Sequence, residues 1–114
     1  MSDIKELTNQ IKKFRDDRDW MQYHTHKDMA ISLCIEAAEL LEHFQWERRN
    51  KKEYWDEHKE EIGDELADVA MYLFELVDSL GLDLKEIMEK KLEKNTKKYP
   101  VSKVKGSDKK YNEL

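Results

Sequence analysis

The sequence has little of what builds turns and cross-links: three Gly, one Pro and a single Cys. So few turn formers exclude a turn-rich β-protein or a collagen-like chain and leave helices as the main element. The lone cysteine, Cys34, cannot form an internal disulfide, which excludes a disulfide-stapled secreted scaffold and points to a reducing compartment. Set between Leu33 and Ile35, it reads as a small buried hydrophobe. Long apolar runs are also missing. No stretch of about 18 apolar residues occurs, and the opening MSDIKELTNQ lacks the apolar segment of a secretory signal, so the expectation is no membrane and a cytoplasmic location.

What is present is charge: 41% of residues are charged and 39% hydrophobic, with a mean hydropathy of −0.98. That balance suits helices with one wet face. At 114 residues the chain is expected to be one domain, 1–114, and such a length buries only about two-thirds of its unfolded surface. The core will be modest, and a homodimer or homotetramer is expected to supply the rest. The net charge of −5 conceals an asymmetry. Between Lys90 and Leu114 nine Lys face only Glu93, Asp108 and Glu113, so that stretch is near +6 and residues 1–89 near −11. A basic tail, about 99–114, beside an acidic body suits a metal site that receives a polyanion. The acidic body argues against a nucleic-acid polymer as partner.

Asp3 with Glu6 has the spacing of a capping box, and Ile4, Leu7, Ile11 and Phe14 then recur every three or four residues, predicting a first helix to about Trp20. A second helix, capped by Asp28, is expected to run to about Arg48. Residues 47–60, ERRNKKEYWDEHKE, lose the apolar stripe and read as a charged connector with a helical turn around Tyr54 and Trp55. Ile62, Leu66, Val69, Leu73, Leu76 and Leu80 form the core stripe of a third helix that Gly81 ends. Asp83 with Glu86 opens a fourth, with Leu84, Ile87, Met88 and Leu92 inward and Pro100 closing it. The economical architecture is all-α, a four-helix bundle with a basic C-terminal tail.

Two acidic pairs stand out by their setting. Glu36 and Glu39 share a helix face, and like charges at that spacing cost an isolated helix roughly 0.2–0.5 kcal/mol. Spacing alone decides nothing among 26 acidic residues. The surroundings, ISLCIEAAELL, predict that both are buried, with Ala37 and Ala38 small enough to let another helix approach. Glu65 and Asp68 repeat the arrangement beside the third helix's stripe, in line with Tyr72. Buried carboxylates need counter-cations. No Lys or Arg occurs between Asp28 and Arg48, so hard, oxygen-seeking metals are the better partners. A di-iron bundle site would need Glu-x-x-His, which the sequence does not contain. An all-oxygen set suits Mg²⁺, with Mn²⁺ as a substitute. A solvated acidic seam remains the alternative to a metal centre at this point.

Glu36-x-x-Glu39 and Glu65-x-x-Asp68, separated by a connector, resemble the metal-binding signature of the MazG-like nucleotide pyrophosphohydrolases. RDW at 18–20 with His24, FQW at 44–46, Tyr72, Lys91 with Asn95, and KYPVSKVKGS at 98–107 extend the likeness to the dCTP pyrophosphatase branch over nearly the whole chain. The resemblance implies a Mg²⁺-dependent enzyme that splits a (deoxy)nucleoside triphosphate, dCTP or a modified dCTP foremost, into monophosphate and pyrophosphate. It implies Glu36, Glu39, Glu65 and Asp68 as catalytic metal ligands, and Trp20, His24, Trp46, Tyr72, Lys91 and Asn95 around the nucleotide. It also implies a homo-oligomer. This chain departs from the pattern at Ala38, where related sequences often carry Gly, and at Asp28, where that branch tends to have Asn; the second change bears on base or sugar selectivity. Taken singly, Trp20 and Trp46 are as easily packing residues, and Tyr72 a core residue with its hydroxyl on a carboxylate. His26, His43 and His58 read as structural or surface. The rival functions are a non-enzymatic helical interaction module and a dUTP- or phosphoribosyl-ATP-type pyrophosphohydrolase on the same scaffold.

Overall fold

The first helix, α1 (Asp3–Asp17), begins one residue earlier than the capping-box spacing predicts, because Ser2 takes the cap and its hydroxyl accepts the Lys5 N–H at 3.2 Å. Asp3 and Glu6 lie instead in the first turn, where their charge suits the positive end of the helix dipole. The helix stops at Asp17 rather than near Trp20. Asp19 there adopts a left-handed backbone, φ 54°, which an Asp tolerates better than most residues. This is a computed structural model that describes residues 2–114.

A single 3-10 turn, Met21–Tyr23, leads to α2 (His26–Glu42). Thr25, not Asp28, caps it, accepting the Asp28 N–H at 3.1 Å, and Asp28 sits in the first turn. The helix also ends well before Arg48. Its last carbonyls are taken up by a run of turns through Gln45, and Arg49 donates to the Glu42 carbonyl at 2.9 Å. The connector contains the expected helical turn, α3 (Lys52–Glu57), around Tyr54 and Trp55. Then α4 (Lys59–Ser79) runs to a cap at Leu80, with Gly81 in the left-handed region at φ 71°, as the sequence predicts.

The chain divides into two compact units, one ending at Gly81 and one beginning at Leu82. In the first, α2 and α4 pack along each other and α1 lies against α4. Met29 and Val77 are its buried apolar side chains, Met29 alone fully so, and the core is as small as the composition implies. The predicted stripe of α4 is not that core. Ile62, Val69 and Leu76 are half-buried, whereas Leu66, Leu73 and Leu80 are exposed. The inward face is centred a fraction of a turn away, on Glu65, Asp68, Tyr72 and Glu75, positions that recur every three or four residues. On α2, Cys34 is exposed rather than buried; it lies two positions, more than half a turn, from the inward Glu36.

The second unit contains α5 (Leu84–Lys98), capped by Asp83 accepting the Glu86 N–H at 2.9 Å, as the spacing predicts. Of its expected inward residues Leu84 is buried and Ile87 half-buried, but Met88 and Leu92 are exposed. Pro100 follows the end of α5 and serves as the cap of a short α6 (Val101–Val104). The secondary structure among the described residues is all helical, with four long helices, and no helix is long and apolar enough to cross a membrane.

Candidate metal centre and nucleotide cavity

Pairing of α2 with α4 brings Glu36 against Glu65 and Asp68. One carboxylate oxygen from each lies within 4.8 Å of the others, and all three side chains are half-buried. Glu39, one turn on from Glu36, is exposed rather than buried and stands at the rim of the cluster, close enough to raise both Glu36 and Glu65. It still adds its charge to the cluster.

The electrostatics are those of a site short of positive charge. Burial pushes the Glu36 carboxyl up to about 7, and the neighbouring Glu39, then the Asp68 and Glu65 charges, push the same way. Glu65 is raised for the same reasons, with burial first and Glu39 next, and His43 opposes the shift. Glu36 Oε2 and Glu65 Oε2 are buried with no hydrogen-bond partner among the described residues. Such orphaned acceptors are costly. Two unpartnered oxygens in an all-carboxylate set fit a hard divalent cation, which would satisfy both at once.

Beside the cluster lies a cavity of about 600 Å³, and Asp68 belongs to its wall as well as to the acidic cluster. Phe14, Trp20, Met71 and Phe74 make much of the apolar wall, with His24 and Tyr72 among its polar members. Phe14 and Trp20 meet edge to face at 5.8 Å, and Arg18 lies over the Phe14 ring at 3.7 Å. The cavity therefore brings together Trp20, His24 and Tyr72 of the residues predicted for the nucleotide. Tyr72 bonds no carboxylate among the described residues; its ring lies tilted toward His24, centroids 6.4 Å apart.

Trp46 is not in this wall. It stands on the turn after α2 with a left-handed backbone, φ 69°, and is 66% exposed. Lys91 and Asn95 lie on one face of α5 in the second unit, Lys91 exposed and Asn95 half-buried. His43 is placed against Tyr54, Nδ1 to hydroxyl at 3.3 Å, and His58 stacks on the same ring at 3.9 Å. His26 bonds Ser79 across the helices at 2.9 Å.

Sequence reasoning missed Arg15 and Glu75. Glu75 is 3% exposed, and its Oε1 accepts from Arg15 Nη1 at 3.0 Å and lies within hydrogen-bond distance of His24 Nδ1, at 2.7 Å. Asp16 then holds the Arg15 guanidinium above its ordinary range, against the opposing effect of burial, and Glu75 adds to it. The signal was present: Glu75 lies in the apolar run YLFELV, the kind of setting that singles out Glu36.

An all-helical chain that sets an all-oxygen acidic cluster beside an apolar cavity, with Asp68 common to both, could hold a divalent cation next to a small ligand. The family model of the MazG-like family matches residues 31–114. dCTP pyrophosphatase 1 of Mus musculus is 32% identical, the alignment covering 100% of this chain and 67% of that protein. The Homo sapiens protein of the same name is 31% identical with the same coverage. A solved pyrophosphatase from Archaeoglobus fulgidus superposes with a TM-score of 0.82 at 42% identity, over 88% of this chain and 94% of that one. This chain belongs to the MazG-like family.

Proposed function

We propose that this protein is a divalent-metal-dependent nucleotide pyrophosphohydrolase that converts a deoxynucleoside triphosphate, dCTP or a 5-substituted dCTP foremost, to its monophosphate and pyrophosphate. The observation that carries the proposal is that Asp68 is shared by the carboxylate cluster and the cavity. A base and sugar held in the cavity would present the α-phosphate to the cluster. The name dCTP pyrophosphatase 1 of the curated relatives supports the nucleotide and the base, and that of the solved structure supports a pyrophosphatase activity.

Glu36, Glu65 and Asp68 would hold the metal, with Glu39 at the rim; Mg²⁺ is the ion their oxygens suit best, and Mn²⁺ the substitute. Once bound, the ion would neutralise phosphate charge and make a bound water more acidic. The carboxylates would orient the phosphate end through the ion they hold. Trp20 and Phe14 provide apolar rings for the base. Trp46, Lys91 and Asn95 are assigned to the substrate on the family resemblance alone. Working units are proposed to be homodimers or homotetramers. The test is a screen of nucleoside triphosphates with Mg²⁺, scored for pyrophosphate. Pyrophosphate release that is greatest with dCTP or a 5-substituted dCTP is expected, and release from no triphosphate would overturn the reading.

A further inference from the structure

We infer that Glu75, anchored by Arg15, positions His24 with its proton on Nδ1 and thereby sets the cavity's preference for a base that presents an exocyclic amino group. The inference rests on the nucleotide reading above and deepens it.

A buried ion pair is rarely retained for stability, since the desolvation of both charges offsets their attraction. Here the pair is at the wall of the cavity, with Arg15 8% and Glu75 3% exposed. Both charges are already answered: Arg15 binds Asp16 at 2.8 Å and Glu75 at 3.0 Å. What remains is the second bond to Glu75 Oε1, from His24 Nδ1 at 2.7 Å.

An ionised carboxylate only accepts, so Nδ1 must carry the hydrogen. In the neutral ring the other nitrogen, Nε2, is then a bare acceptor. The ring itself lines the cavity, so Nε2 is the nitrogen left for a ligand. An acceptor there pairs with an amino N–H of cytosine and opposes the carbonyl oxygen that uracil or thymine carries at the same position. The discrimination comes from leaving a buried polar atom unpaired or set against a like dipole, which is how a hydrogen-bonding site rejects an analogue. Glu75 and Arg15 act through His24 and are positioning residues.

Nitrogen-15 spectroscopy of the His24 ring in the full-length protein at alkaline pH tests the arrangement directly. The expected spectrum shows Nδ1 protonated and Nε2 bare. Deoxycytidine monophosphate with Mg²⁺ is expected to shift Nε2, and deoxyuridine monophosphate to leave it in place. A variant carrying Arg15→Met together with Glu75→Leu removes the pair without stranding a charge. Its kcat/KM ratio of dCTP to dUTP is expected to fall by about tenfold to a hundredfold. A protonated Nε2 in the wild type, an equal response to the two monophosphates, or an unchanged ratio in the folded variant would overturn the inference. The wild-type spectra decide the matter even if the double variant does not fold. They also decide it if no triphosphate is hydrolysed, an outcome that counts against the functional reading alone.

Discussion

Glu36 of α2 and Glu65 of α4 each bury one carboxylate oxygen that has no hydrogen-bond partner among the described residues, and the two side chains reach within 4.8 Å of each other. Opposed acids so placed make stability depend on pH and on cation together. The unfolded chain releases the Glu36 proton in the ordinary carboxylate range, and the metal-free folded chain releases it at about 7. The folded form therefore holds the extra proton between those values. Stability from this group is full below the ordinary range and is lost as pH rises through about 7.

Metal binding reverses that slope, because the ligands must be deprotonated. The rise in melting temperature on adding Mg²⁺ is thus expected to be larger well above pH 7 than well below it. Thermal scans with and without Mg²⁺ across that range check it; an equal rise on both sides would show that Glu36 is not a ligand.

Removing a ligand should separate activity from folding. Glu36→Gln and Asp68→Asn are each expected to lower kcat by about a hundredfold or more while the metal-free protein keeps or raises its melting temperature, since each relieves like-charge crowding. Glu39→Gln is expected to cost less than either, because Glu39 is exposed at the rim. A Glu39 variant more impaired than the other two would place the metal further out than the three-residue cluster does.

The sequence was most legible where a local rule acts alone. Gly81 after α4 and Asp83 at the start of α5 stand where the spacing predicts them, since a left-handed residue and a cap need no tertiary context. Caps were misplaced twice: Ser2 caps α1 where Asp3 was expected, and Thr25 caps α2 where Asp28 was expected, with a hydroxyl as the acceptor both times. Faces were harder. The step of four and three through Leu66, Leu73 and Leu80 matched a core stripe, yet the helix buries the neighbouring strip that carries Glu65, Asp68, Tyr72 and Glu75. A pattern reader scores apolar side chains, and this face is inward although it carries three carboxylates, of which Glu75 meets Arg15 and His24 from other elements. Arg15 and Glu75 are 60 residues apart, and no periodicity links them. Trp46 was assigned by resemblance, and its position outside the cavity wall could not be read from the motif FQW.

Much apolar surface is left over, and it argues for assembly. Ile31 and Ile35 are one turn apart on α2 and are 46% and 52% exposed, with Leu66 on α4 at 52%. We expect a dimer or tetramer by light scattering at micromolar concentration. Ile35→Asp is expected to weaken it strongly, since each buried aliphatic contributes roughly 1.5–3 kcal/mol and a charge in its place adds a desolvation cost. An active wild-type monomer would show that these side chains are simply solvated.

The proposed function implies where the bond breaks. Asp68 stands in both the cavity wall and the cluster, so a base seated against Trp20 and Phe14 would have its first phosphate, not its last, beside the carboxylates. Attack at the α-phosphorus is then expected, with monophosphate and pyrophosphate as products. In water enriched in oxygen-18 the label is expected in the monophosphate. Trp20→Ala should raise KM by roughly 5- to 100-fold with a smaller change in kcat, because stacking on an aromatic is worth about 1–3 kcal/mol and holds ground state and transition state alike. Label in pyrophosphate would move the attack to the β-phosphorus, and release of inorganic phosphate with a diphosphate would move it to the γ-phosphorus. Either result, or an unchanged KM for the Trp20 variant, would mean that the base does not sit in this cavity with its α-phosphate at Asp68.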